Sequence, residues 1–98
     1  MSTWLIGQLK IHNPAGYKEY ASKVMSTMKK YGGELIGLSD SIEIVEGSYD
    51  WPRTVIIKFQ DHEAALKWYH SPEYQEIIPL RKNSADGNIF LIKNQMDS

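Results

Sequence analysis

The chain has 98 residues, a net charge of −1, acidic and basic side chains interleaved along its length, and no cysteine. That length gives one domain with one core. The charge pattern excludes the basic face of a nucleic-acid-binding protein and a polybasic membrane anchor, and the lack of cysteine excludes disulfides, thiolate nucleophiles and cysteine-ligated metals.

Met1-Ser2-Thr3-Trp4 shows neither a basic n-region nor an apolar h-region, so no signal peptide is expected. No apolar run approaches the roughly 20 residues of a membrane span. A cytoplasmic protein is the expectation. Residues 1–98 read as a single domain with its core at about 4–93.

Leu5 to Ile11 reads as an aliphatic strand. Asn13-Pro14 then starts a helix, with Asn13 as cap and Pro14 in the first turn. Tyr17, Tyr20, Ala21, Val24, Met28 and Tyr31 recur on one helical face, opposite Lys18, Glu19, Ser22, Lys23 and Lys29. Gly32-Gly33 ends this helix. A second strand is expected from Glu34 to Leu38, bent at Ser39-Asp40-Ser41 and continuing to Glu46 through the alternation of Ile42 and Ile44. Gly47 to Pro52 reads as a hairpin loop and Arg53 to Phe59 as a third strand.

Asp61 caps the next helix, with Glu63 near its positive end. Ser71-Pro72-Glu73 starts another: a serine cap, proline at the first position and glutamate in the first turn. Tyr74, Ile77 and Ile78 form its apolar side, and Pro79 is expected to end or kink it. A polar connection over 82–87 leads to a last strand, Asn88 to Lys93, and a frayed tail over 94–98.

The order β-α-β-β-α-β, with the second helix broken in two, is the ferredoxin-like pattern: an α+β fold with a four-stranded antiparallel sheet and both helical segments on one face. The face left uncovered should then be polar. It is not: "VIIKF" and "IFLI" are apolar on both sides, and Trp4 and Ile6 oppose Leu5, Leu9 and Ile11. A homodimer that buries this face, sheet on sheet, is therefore expected.

"NPAGYKEYASKVMSTMKKYGG", "VIIKFQDHEAALKWYHSPEYQEIIPLR" and "ADGNIFLI" together resemble the small bacterial domain of unknown function DUF1330, over Trp4 to about Lys93. The most specific parts are Asn13-Pro14 with Tyr17 and Tyr20, the Tyr31-Gly32-Gly33 turn, and Trp68 to Arg81. The resemblance implies membership of the dimeric α+β barrel superfamily and a homodimeric barrel. It implies no settled reaction. Relatives in that superfamily include cofactor-free monooxygenases, haem-degrading enzymes, isomerases and ligand-sensing domains, and fold alone does not choose among them.

The chemistry-bearing residues are few. His12, at the end of the first strand, is a candidate general base by residue type, although a histidine at a strand end is more often simply solvated. Tyr17, Tyr74 and Arg81 would line a cleft between helices and sheet suited to a small aromatic or acidic ligand. Against this, Arg81 could simply pair with Glu73 or Glu76 across its own helix. Tyr20 and Trp68 read as core, and His70 as the end of a helix. His12, His62 and His70 lack the spacing of a metal site, and a haem-type Asn13/Trp68/His70 set is better explained by capping and core packing. No phosphate loop is present.

Neither metal nor cofactor is expected. The expected partners are a second copy of the chain and a small ligand, without nucleic acid or membrane. Two function classes stay open: a cofactor-independent enzyme of monooxygenase or isomerase type on a small organic molecule, with His12, Tyr17, Tyr74 and Arg81 at its cleft, and a non-catalytic ligand-binding or accessory domain.

Overall fold

The structure is a computed structural model that describes residues 1–97. Its elements are β1 (Thr3–Ile11), α1 (Pro14–Lys30), β2 (Glu34–Ser39), β3 (Arg53–Phe59), α2 (His62–Tyr69), α3 (Pro72–Lys82), β4 (Ala85–Lys93) and a short 3-10 turn, Gln95–Asp97. The strands form one antiparallel sheet in the order β2-β3-β1-β4. This is the ferredoxin-like α+β arrangement that the element order implies. No described helix is long and apolar enough to cross a membrane.

The caps explain where the helices start. The Asn13 side chain accepts from the Gly16 N–H at 3.2 Å, Asp61 from Ala64 at 2.8 Å, and Ser71 from Tyr74 at 3.2 Å, each satisfying a donor that has no partner inside its helix. Past the end of α1, Gly32 takes a φ of +79°, a left-handed conformation that favours glycine.

Strand alternation sets the two faces of the sheet. Leu5, Leu9, Val55, Ile57 and Ile89 point toward the helices, where the core gathers around Trp68, Tyr74, Phe59 and Met28. The Trp68 indole N–H donates to Thr27 Oγ1 at 3.0 Å, and Thr27 donates in turn to the Val24 carbonyl at 2.7 Å. α1 and α2 are thus tied through a buried polar chain, while α3 packs directly on α1. On the other face, the register aligns Ile56, Ile6 and Phe90 in one row and Lys58, Trp4 and Ile92 in the next.

Four local expectations are corrected. β2 stops at Ser39, and 40–52 carries no strand despite its alternating isoleucines. β3 begins at Arg53, and its last pairing with β2 is Ser39↔Thr54, so no β3 ladder remains for 41–46 to join. α3 neither ends nor breaks at Pro79 but runs on to Lys82. Pro79 and Gln75, whose carbonyl loses its intrahelical donor, are both exposed, and water can replace the missing bond. β4 begins at Ala85, because pairing with β1 extends to Ala85↔Ile11. The tail is not frayed over 95–97: Asp97 accepts from the backbone N–H and the hydroxyl of Ser2. Ser98 lies outside the described residues.

Thr27→Val keeps the shape of its site but leaves the Trp68 N–H buried without an acceptor. Chemical denaturation should show a loss of about 1–3 kcal/mol with the m-value unchanged.

Candidate functional site: an apolar pocket with a buried arginine

α1 packs on α3 and leaves a space of about 300 Å³ above the sheet. That volume is at the small end for ligand sites. At about 30 Å³ per water-sized group it accommodates a body of about ten non-hydrogen atoms. Leu5, Leu9, Val55, Ile57 and Ile89 from the sheet form the floor, while Ala21, Val24, Met25 and Met28 from α1 form the roof. Gly7, between Leu5 and Leu9 on the central strand, keeps the floor low; a Cβ there would stand 3.3 Å from Ile89 Cδ1. Met25 and Leu38 are exposed lining residues and mark the rim.

The ionisable groups in the lining are three tyrosines and two arginines: Tyr17, Tyr20, Tyr74, Arg53 and Arg81. Tyr74 and Arg81 lie seven apart on α3, on the stripe that also buries Ile77 and Ile78. Arg81 is only 7% exposed, and its Nε has no hydrogen-bond partner. No carboxylate among the described residues forms an ion pair with it. Glu73 is engaged elsewhere, accepting from the Tyr31 hydroxyl at 2.7 Å and pairing with Lys30 at 3.3 Å. The bond from Tyr31 holds the Glu73 carboxyl below its usual range. The alternative in which Arg81 merely pairs with Glu73 or Glu76 is therefore not what the fold provides.

The tyrosines form a second polar group. The Tyr20 and Tyr74 hydroxyls are 2.8 Å apart and both rings are buried. Desolvation by burial, reinforced by Tyr74, pushes the Tyr20 pKa well up. Burial also raises that of Tyr17, although Arg53, 5.4 Å from the ring centre, counteracts it. At neutral pH both hydroxyls therefore keep their protons and act as hydrogen-bond donors rather than bases. For Arg81, burial favours the neutral form and contact with Tyr74 opposes it; arginine is so basic that the guanidinium keeps its charge at neutral pH.

Of the four residues picked from the sequence, the fold brings Tyr17, Tyr74 and Arg81 together. His12 is not in the lining; it is exposed and sits 3.9 Å from Asp86 on the neighbouring strand. Tyr20 is core, as its spacing implies, yet its hydroxyl also belongs to the site. Arg53 was missed. It is the first residue of β3, and its approach to Tyr17 depends on how β3 passes beneath α1, which no local motif encodes.

The profile of DUF1330, a domain of unknown function, matches residues 2–95. The chain belongs to the DUF1330 family. No functionally curated protein matches it. Among solved structures, the DUF1330 chain is similar to a protein of unknown function from Rhodopseudomonas palustris, at 13% identity and a TM-score of 0.78, covering 94% of this chain and 81% of the other. It is also similar to SnoaB, a cofactor-independent oxygenase from Streptomyces nogalater, at 11% identity and a TM-score of 0.68, covering 96% and 93%. A third is a conserved protein from Bacteroides thetaiotaomicron described as a possible oxidoreductase, at 14% identity and a TM-score of 0.62, covering 94% and 96%. At these identities the likeness is one of fold.

Because folding raises the Tyr20 pKa, folded and unfolded chains both hold this proton below about pH 10, and stability there is insensitive to it. Above about pH 10 the unfolded chain releases the proton first, so stability falls as pH rises. Urea midpoints measured from neutral pH upward should be level and then drop. Tyr20→Phe should lower stability at neutral pH by about 0.5–1.5 kcal/mol and make the alkaline drop shallower.

Proposed function

We propose that this DUF1330 protein is a small cytoplasmic homodimer whose pocket binds a compact apolar or aromatic molecule bearing an acidic group, with that group seated on Arg81. The observation that carries this reading is a guanidinium more than nine-tenths buried in a mainly apolar pocket, with no carboxylate among the described residues to balance it. A buried charge is expensive unless something pairs with it. Here a ligand carboxylate or phenolate supplies the partner, the guanidinium fork meets it with directed donors, and the Tyr20–Tyr74 hydroxyl pair extends the donor set. The apolar floor and roof hold the rest of the molecule by burial.

Catalysis is a second reading, and the same geometry supports it. Donors aimed at an oxygen favour the ionised form of a phenol or enol, and that electron-rich form is the one that reacts with dioxygen unaided. SnoaB, which shares the fold, carries out cofactor-independent oxygenation. The lining residues include no carboxylate and no imidazole, so the pocket is better equipped to stabilise an anion than to generate one by removing a proton. Binding is therefore the primary reading.

For the dimer, the support is the uncovered face of the sheet. Ile6, Ile56, Trp4, Phe90 and Ile92 share that face, interrupted by Lys58, and Phe90 and Ile92 are exposed in the single chain. Light scattering at micromolar concentration should give twice the 11.3 kDa chain mass, and Phe90→Lys should return the mass of one chain.

The binding reading is tested by thermal unfolding with simple aromatic acids such as benzoate. A tenfold excess over Kd should raise the midpoint by roughly 5–10 °C, with no gain from the uncharged amide. Arg81→Met should abolish the ligand effect and also stabilise the empty protein by about 1–2 kcal/mol, because an unpaired buried charge is removed. No shift with any acid would sink the reading. Arg81-dependent oxygen uptake with an electron-rich phenol such as 1-naphthol would move it to catalysis.

A further inference from the structure

The second arginine of the pocket defines the ligand more closely, an inference that rests on the acid-binding reading above. Arg53 enters the lining from the start of β3, with its guanidinium over the Tyr17 ring. Unlike Arg81 it is already balanced. Asp40, in the segment that follows β2, accepts from Arg53 Nε at 2.8 Å and from Nη2 at 3.0 Å, a two-point carboxylate fork. Asp40 is outside the pocket, in the wall of a smaller recess with Tyr49, Asp50 and Trp51. Lys10 answers Asp50 at 3.1 Å, so the neighbouring acid is engaged with a different cation. Two guanidiniums face the pocket, and one of them is neutralised from behind.

We infer that the pocket selects monoanions: a ligand with one carboxylate or phenolate, bound by Arg81, on an otherwise apolar body. Asp40 sets this selectivity by occupying Arg53. A dianion of the same size would bring its second charge to a pocket with no uncommitted cation left, and the apolar lining would desolvate that charge without compensation. Arg53 in turn packs on Tyr17 and helps to place that ring at the pocket wall.

The probes are benzoate and the three phthalate isomers, which share one ring and differ by one carboxylate; binding is read by titration calorimetry. The wild-type protein should bind benzoate at least tenfold more tightly than any phthalate. Asp40→Asn frees Arg53 and should tighten at least one phthalate isomer tenfold or more, while benzoate changes less than threefold. Asp40→Asn with Arg53→Gln should cancel that gain, which separates charge release from a general loosening of the 40–52 segment. Thermal midpoints of both variants without ligand confirm that they fold. If benzoate binds in an Arg81-dependent way but the benzoate-to-phthalate ratio is the same in the wild type and Asp40→Asn, the monoanion inference fails and the acid-binding reading stands. If no acid binds to any of these proteins, both fail together.

Discussion

The buried charge of Arg81 is the constraint around which the rest of the molecule is arranged. Positions 74, 77, 78 and 81 form the inward stripe of α3, and on such a stripe an apolar side chain would be the stable choice. Keeping a guanidinium there costs desolvation energy, so α3 must be held firmly enough to withstand it. The Ser71 cap fixes its start. Glu73 joins it to the end of α1 through Tyr31 and Lys30. Ser84 closes its end by donating to the Leu80 carbonyl at 2.6 Å. The break between α2 and α3 therefore sets the direction in which Arg81 points, besides joining two helices.

The tyrosines decide what that charge can do. In the Tyr20–Tyr74 pair one hydroxyl donates to the other, so one proton remains directed away from the pair. Burial favours the neutral form of Tyr20. A protonated phenol next to a guanidinium makes a donor-rich, proton-retaining pole at one end of a greasy cavity. Such a pole strengthens in effect as water is excluded, because electrostatic attraction grows as the local dielectric falls. Ligand entry and charge recognition are thereby linked: the apolar body that displaces water also deepens the well in which its anion sits.

Much of this was legible in the sequence, and the rest was hidden for physical reasons. The caps at Asn13, Asp61 and Ser71 are local signals, and local signals placed all three helices. Tyr74 and Arg81 were both legible as cleft residues, but the shared face that brings them together depends on α3 running through Pro79, where the sequence pointed to an end or a kink. The alternation of Ile42 and Ile44 misled, because a strand needs a partner with free backbone groups as well as a pattern, and β3 offers none beyond Thr54. His12 was plausible by chain position alone; the turn into α1 leaves it exposed beside Asp86. Arg53 could not be found locally, since its role arises only when Asp40 on one side and Tyr17 on the other converge on it across 13 and 36 positions of chain.

The strands serve two surfaces at once, and this shapes how the site relates to the proposed dimer. Along β1, Leu5, Gly7 and Leu9 face the pocket while Trp4 and Ile6 face away. Val55 and Ile57 on β3 line the pocket, and Ile56 between them belongs to the outer row. The exposed lining residues Met25 and Leu38 lie at the α1–β2 edge, on the helix side, so covering the outer face with a second sheet leaves that rim open. A partner sheet would instead stiffen the floor from beneath. The central strand carries Gly7, the one floor position without a side chain, and a glycine in a strand weakens it unless packing on both faces compensates. Pairing through the outer face supplies that packing without narrowing the cavity, so the dimer and the pocket make compatible demands on the same three strands.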